Sequence, residues 1–274
     1  EHFRQFRSPK INVIIPVQKI DNPINLFAYL PLSSTKFQLD YIINADFIPN
    51  LDRSNIINLS YNFKLAEFAA IQIIKACESF ALNKEFKKIK QLFPTFETGI
   101  NEFKDKLQLS FINNVENSEI FPTCYDGKLY PITQILVDIT GLYKIIPESL
   151  YSQLTNTNRK PLDLDSELEG EYLFLHDKLS IGHTFKKDDL VSSLNTKNFE
   201  TWLKKPENNF LIVSHFNSSD DLKDLLKSEN IILNSNNELK NSTSLYKEIP
   251  KELSFLGLNV INSELLKLLD EKVI

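Results

Sequence analysis

The hydrophobic period of this chain changes once within its first eighty residues, and that change restricts the folds open to it. Leu26 to Leu32 is apolar nearly throughout and stops at Pro31, which reads as a buried strand ending in a turn. Tyr41 to Ile48, between Asp40 and Pro49-Asn50, reads as a second strand, and Ile11 to Val17, with Pro16 inside it, as a third near an edge. The period then lengthens. Leu65, Phe68, Ala69, Gln72, Ile73, Ala76 and Phe80 recur at helical spacing, with Asn62 placed to cap the start. A helix over Asn62 to Ala81 lying on the preceding sheet is therefore expected. The fold class is α+β: a β-rich N-terminal part packed on helices, then a more helical second half with two β-hairpins. The regular βαβ alternation of a parallel sheet is absent.

A second predicted helix covers Lys84 to Leu92 and ends before Pro94. A third runs from Gly99 to Val115 with Phe103, Leu107, Phe111 and Val115 as its stripe. Glu119 to Tyr130 then reads as a hairpin around Asp126-Gly127, since Asp-Gly supplies the positive φ of a tight turn. A fainter copy returns at Asn230 to Leu239, and each follows an amphipathic helix, Gly99 to Val115 and Ser219 to Ser228. Two copies do not make a solenoid. Thr155 to Gly170 reads as a linker, which divides the chain into 1–160 and 161–274. Beyond it, Lys186 to Leu194 and Asn198 to Lys204 are expected to be helical, Phe210 to Val213 a strand, and Ser263 to Lys272 a last helix. The opening, Glu1 to Pro9, offers Phe3 and Phe6 as anchors.

The 274 residues, 42% hydrophobic and 24% charged, suffice for one large domain or two ordinary ones. Abundant Phe, Asn, Lys and Ile reflect an AT-rich coding bias. A net charge of −5 gives no electrostatic case for nucleic acid or an anionic membrane. The lysines of Asn83 to Lys90 lie on a predicted helix, where a solvated face is their ordinary role. No apolar stretch approaches the ~20 residues of a membrane span, so a cytoplasmic location is expected. Cys77 and Cys124 suit neither a zinc site nor a redox pair, and Cys77 falls in an apolar helical run as a core residue.

Few residues offer chemistry. His176, Asp177 and His183 have ligand-type side chains, but two turns separate the histidines and Gly182 intervenes, so no metal site is expected. Of the other two histidines, His2 and His215, the latter follows the apolar Phe210 to Val213 run and reads as a loop residue. The acid pairs Asp163/Asp165, Glu167/Glu169 and Asp188/Asp189 sit in polar stretches, and paired carboxylates become chemistry only when burial perturbs them. No serine or cysteine carries a nucleophile elbow. Trp202, near Phe199 and Leu203, reads as core. Of the six glycines, no two lie close enough to cradle a phosphate. Arg53 stands apart. It sits among Asp52, Ser54 and Asn55 at the end of a buried strand and before a helix, a place suited to meeting a phosphate.

The string Leu26-Phe27-Ala28-Tyr29-Leu30-Pro31, followed by Ile43-Asn44-Ala45-Asp46-Phe47-Ile48-Pro49-Asn50-Leu51-Asp52-Arg53-Ser54-Asn55-Ile56, resembles the sacsin-type branch of the GHKL ATPases, relatives of the ninety-kilodalton heat-shock chaperone. Members carry F-x-F-L-P, then A-x-F and a short loop holding an arginine. In the chaperone that loop reads N-x-S-R-E-x-L, and its arginine reaches from the middle domain to the γ-phosphate of ATP. This chain departs at Ser54, where the chaperone has Glu, and at Tyr61-Asn62, where relatives have Trp-Asn. The resemblance covers the first quarter of the chain well and the rest only in style. It implies a fold like the chaperone's middle domain, with Arg53 as the γ-phosphate contact. ATP and Mg²⁺ would be held by an upstream ATPase domain of the same polypeptide, because the Asp-x-Gly-x-Gly turn, the Glu/Asn helix and the Gly-rich lid are not in this sequence. The chain would then complete the ATP site and couple ATP state to conformational change, with a protein client or a second copy as further partners. The rival expectation is a non-catalytic protein-interaction or scaffold module, which the Phe-rich composition fits. An arginine awaiting phosphate should be exposed on a loop and not locked to Asp46 or Asp52.

Overall fold

A computed structural model describes residues 10–16, 24–34, 37, 39–94, 99, 101–180, 184–247 and 258–266. The chain is α+β. Up to residue 136 it forms β1 (Ile11–Ile14), β2 (Leu26–Ala28), β3 (Leu30–Pro31), β4 (Ile42–Ala45), α1 (Ser60–Leu82), α2 (Phe86–Leu92), α3 (Glu102–Val115), β5 (Phe121–Pro122), β6 (Leu129–Tyr130) and the start of β7 (Ile135–Asp138). Then come α4 (Glu148–Leu154), β8 (Lys160–Pro161) and α5 (Glu169–Leu179). The remainder holds β9 (Thr184–Phe185), α6 (Lys187–Ser193), α7 (Lys197–Leu203), α8 (Pro206–Ser218), α9 (Leu225–Ser228), β10 (Ile232–Leu233) and β11 (Leu239–Lys240). Two compact units divide these elements, one from 1–136 and 160–183, the other from 137–159 and 184–274. The chain crosses between them after residues 136, 159 and 183, so each unit is built from two stretches of chain. His2, His183, Phe3, Phe6 and the end of the expected helix Ser263 to Lys272 lie outside the described residues.

In the first unit a four-stranded sheet has the order β1-β4-β2-β3. β4 is its centre, antiparallel to β1 and parallel to β2. Leu26, Ala28, Ile43 and Ala45 alternate onto the buried face. The run Leu26 to Leu32 is not one strand but a hairpin, with Ala28 opposite Leu30 and Phe27 opposite Pro31. The reversal falls on Tyr29 at φ 64°, a left-handed conformation that no Gly or Asn announces. Asn25, fully buried, ties in the segment before β4: its Nδ2 donates to Leu39 and Tyr41 carbonyls at 2.9 Å each, and its Oδ1 accepts from Phe37 N–H at 2.7 Å.

α1 packs against α3, α2 and β1. Its buried face, Leu65, Ala66, Ala69, Ala70, Ile73, Ile74, Cys77 and Ala81, is rich in alanine, which lets its neighbours approach closely. Phe103 of α3 meets Phe37 and Phe47 at ring separations of 6.0 and 5.4 Å, and Phe93 meets Phe111 at 5.0 Å. Burying each such ring stabilises by about 2–3 kcal/mol. Asn62 does not cap α1. Leu59 is the N-cap residue without a side-chain bond, and Asn62 is turned inward. The stretch Thr155 to Gly170, expected as a linker, also contributes structure. Pro161, Leu162, Ser166 and Leu168 are buried, and Leu162 N–H donates to Leu136 O at 2.9 Å. Its polar beginning masked these spaced apolar positions.

In the second unit β7 pairs through Val137 and Asp138 with Thr184 and Phe185 of β9. Phe210 to Val213, expected as a strand, lies inside α8, which starts on Pro206 at its first position. A four-residue apolar run carries no period of its own, and Phe210, Val213 and Phe216 supply the helical one. The buried Asp138 carboxylate accepts from Thr140 N–H at 2.7 Å, from its hydroxyl, and from Gly141 and Tyr143 N–H at 3.2 and 3.3 Å. Burial nonetheless raises its pKa. His215, expected in a loop, lies in the last turn of α8 and caps the same turn, its Nε2 donating to Thr140 O at 2.7 Å.

The echo between the hairpins extends beyond helix plus hairpin. In the first, Thr123 N–H donates to Lys128 O, Cys124 N–H to Pro161 O, Asp163 N–H to Pro122 O and Leu162 N–H to Leu136 O. In the second the matching bonds are Asn234 to Glu238, Ser235 to Val260, Asn262 to Leu233 and Ile261 to Tyr246. Each hairpin is followed by a 3-10 turn, Ile132–Gln134 or Ser242–Ser244. A returning segment then pairs parallel to the chain after that turn and bridges antiparallel to the hairpin, at Pro161-Leu162 or Val260-Ile261. The helix before the second copy is α8 with the short α9, rather than one spanning Ser219 to Ser228.

Two predictions follow from these turns. Gly141 has φ 70°, and a Cβ there would lie 3.2 Å from the His215 ring, whereas Gly127 at φ 63° has open space around it. Gly127→Ala should cost about 1 kcal/mol for the backbone alone, and Gly141→Ala about 2–3 kcal/mol, by urea unfolding. Equal costs would show that the His215 contact does not resist. In the first hairpin, partial desolvation works against the charge of Asp126. Bonds from Thr123 Oγ1, Tyr130 hydroxyl and Lys128 N–H outweigh it and bring the carboxyl down to about 2. A depressed folded-state pKa adds stability above the ordinary carboxylate value that is lost as pH falls towards 2. Asp126→Asn should therefore be less stable than the parent at pH 7, with the gap closing between pH 4 and 2 in pH-dependent urea unfolding.

Candidate functional site

Arg53 stands on a short loop between β4 and α1, and backbone bonds build that loop. Pro49 and Ile56 form an antiparallel bridge at its base, and Ile57 N–H donates to Ile48 O at 3.2 Å. Above the base, Asn50 N–H donates to Asn55 O and Arg53 N–H donates to Asn50 O, at 2.9 and 3.0 Å. The Asn50 side chain ties the same turn, accepting from Asn55 N–H at 3.0 Å and donating to Ser54 Oγ at 2.9 Å. Asn and Asp form such local bonds readily, which is why Asn50-Leu51-Asp52-Arg53-Ser54-Asn55 turns so tightly. Arg53 takes φ 55°, a conformation that costs a non-glycine residue about 1 kcal/mol or more.

Below the loop lies Asn62, with no exposed surface. Its Oδ1 accepts from Ile48 N–H at 2.9 Å, and its Nδ2 donates to Ile48 O at 2.9 Å and Ile57 O at 2.8 Å. The loop also joins the sheet's hairpin. Ser34 N–H donates to Ser54 O at 2.8 Å, and Arg53 Nη2 donates to Ala28 O at 2.8 Å. Ala28 precedes Tyr29, so two left-handed residues, Tyr29 and Arg53, flank one hydrogen bond.

The guanidinium is exposed, and no ion pair involves it among the described residues. Both carboxylates that might have held it are otherwise engaged. Asp52 is bonded by the N–H and hydroxyl of Ser54, which hold it below the usual range. Asp46 hydrogen-bonds with Tyr29 and raises that phenol's pKa. Large apolar side chains are exposed on this loop and on the hairpin it bonds to: Tyr29 is 82% exposed, Leu30 61%, and Leu51 wholly so. Behind the loop a polar cavity of about 570 Å³ is lined by Asn50, Asn55, Asn58, Asn101, Glu102 and Asp105 among others.

The other described candidate residues serve local roles. His176 is beside its neighbour Asp177, Nδ1 to Oδ1 3.3 Å, while His215 serves the Thr140 turn. Asp163 and Asp189 cap backbone at Asp165 and Lys186. Lys88 pairs with Glu85 at 2.7 Å and Lys90 approaches Glu167 at 3.7 Å, so part of the lysine run is neutralised. Trp202 stacks on Phe199 at 5.9 Å. No group of three or more potential metal-ligating side chains occurs among the described residues, and no helix there is long and apolar enough to cross a membrane. Asn62 is the residue that periodicity misassigned. Its neighbours in sequence carry no signal that would turn it inward rather than onto the helix start.

Comparison with family models, with curated proteins and with solved structures gives no match to this chain.

The left-handed backbone at Arg53 yields a stability prediction. Arg53→Ala loses the bond to Ala28 O and keeps the strain, so it should destabilise by about 1–2 kcal/mol. Arg53→Gly loses the same bond but relieves the strain, and should unfold at least about 0.5 kcal/mol later than Arg53→Ala in urea. The reverse order would mean that the positive φ carries no strain.

Proposed function

We propose that this chain is a middle segment of a sacsin-like, chaperone-related ATPase and that Arg53 meets the γ-phosphate of ATP held by an upstream domain of the same polypeptide. The observation that carries this reading is the state of Arg53. It is exposed on a tightly bonded loop, with one nitrogen on a neutral carbonyl and both nearby carboxylates engaged elsewhere. A guanidinium leaving one carbonyl for phosphate exchanges a neutral acceptor for a charged one and breaks no ion pair. There it stabilises negative charge developing on the transferred phosphoryl group. Mg²⁺ and the nucleotide are held upstream, so the chain alone does not turn over ATP. The work is cytoplasmic, and coupling ATP state to a shape change in a client or a second copy is the role this geometry suits.

A second reading, a non-catalytic interaction module, is favoured by the exposure of Leu51, Tyr29 and Leu30 on two segments joined by the Arg53–Ala28 bond, since apolar side chains gathered in one place, unlike single scattered ones, mark interaction surfaces. The two readings part on Arg53. In a protein extended upstream through the nucleotide-binding domain, Arg53→Ala should lower ATP turnover by about a hundredfold or more, with Arg53→Lys recovering only part. Unchanged turnover in Arg53→Ala would remove Arg53 from the chemistry and leave the interaction module.

A further inference from the structure

The carboxamide of Asn62 is committed wholly to the Arg53 loop and not to its own helix. α1 opens at Ser60 behind Leu59, and Phe63 N–H finds Leu59 O at 3.1 Å without help from Asn62. The three bonds of Asn62 go instead to the chain on both sides of the loop, two to Ile48 and one to Ile57. These are the last residues before the Pro49–Ile56 bridge closes the base. From that base the Asn50 bonds lead directly to Arg53, whose N–H is held on Asn50 O. The path from the buried Asn62 amide to Arg53 therefore runs through Ile48 and Ile57, the Pro49–Ile56 bridge and Asn50. A carboxamide suits this place because Nδ2 can serve two carbonyls while Oδ1 serves an N–H, a set that neither Asp nor Ser can supply.

We infer that Asn62 is the positioning residue of Arg53, fixing the base of the loop so that the guanidinium is delivered in one place. What Arg53 is delivered to rests on the ATPase reading, but the clamp does not. Two measurements separate them. In this chain, amide exchange at Asn50, Arg53 and Asn55 should quicken by about tenfold or more in Asn62→Ala, while Ile43 and Ile73 keep their protection. Asn62→Asp, which keeps an acceptor for Ile48 N–H but sets a buried carboxylate against the Ile48 and Ile57 carbonyls, should quicken exchange at least as much as Asn62→Ala. Unchanged exchange in the loop overturns the inference. So does an equal rise throughout α1 and the sheet, which would make Asn62 a general stabiliser.

In the ATP-hydrolysing protein, Asn62→Ala should lower kcat by about tenfold to a hundredfold with KM for ATP nearly unchanged, since misplacing a group that acts in the transition state has that effect. Adding Arg53→Ala to it should cause no further loss, because both act through one guanidinium. Additive losses overturn the assignment. Should Arg53→Ala alone leave turnover untouched, the ATPase reading fails, and loop exchange alone decides for or against Asn62.

Discussion

A strand that leaves a sheet, turns and enters a long helix must find partners for its backbone N–H and C=O groups where water cannot reach them. Here one side chain meets most of that need. Asn62 takes up three backbone groups of Ile48 and Ile57 from within the first turn of α1. The sheet, the arginine loop and the longest helix of the first unit thus share a junction. Leaving a buried backbone group unsatisfied costs about 1–3 kcal/mol, so an apolar residue at this position would release Ile48 and Ile57 to water and open the base of the loop. Asn25 solves the same problem at the other approach to β4. The central strand is therefore framed by two buried carboxamides, and its register depends on polar matching as much as on Ile43 and Ala45.

The exposed edge of this arrangement obeys different rules. Tyr29 and Arg53 hold left-handed backbone that glycine would adopt more cheaply. Leu51 and Leu30 meet water where a smaller or polar residue would be easier to keep. Stability therefore does not explain these choices, and such departures gather where a surface serves something besides the fold. The bond from the Arg53 side chain to the Ala28 carbonyl fits that pattern, because it orders the side chain without neutralising it.

How much of this was legible before the coordinates depended on the kind of signal. Long periodic segments were readable as helices. α3 buries its whole expected stripe, whereas α1 buries Leu65, Ala69 and Ile73 but exposes Phe68 and Gln72, its face being turned towards Ala66, Ala70, Ile74 and Cys77. Short apolar runs were not. Leu26 to Leu32 conceals a reversal at a tyrosine, and Phe210 to Val213 is helical because of residues on either side of it. The polar opening of Thr155 to Gly170 hid Leu162 and Leu168, whose burial depends on partners distant in sequence. Arg53 was legible as a candidate through its turn-forming neighbours. Asn62 was not, since a polar residue near a helix start reads as a cap until its bonds are seen to run backwards.

The chain passes between the two units three times, after residues 136, 159 and 183. The first unit receives β8 and α5 only after the chain has laid down α4, which belongs to the second. During synthesis from the N-terminus, Leu136 therefore waits for Pro161 before its strand is paired, and Ile135 O waits for the Tyr172 hydroxyl. Until then part of an apolar core stands open on a ribosome-bound chain. A polypeptide threaded in this way is vulnerable longest in its earliest-made half, and cannot be divided by one cut into two pieces that each fold.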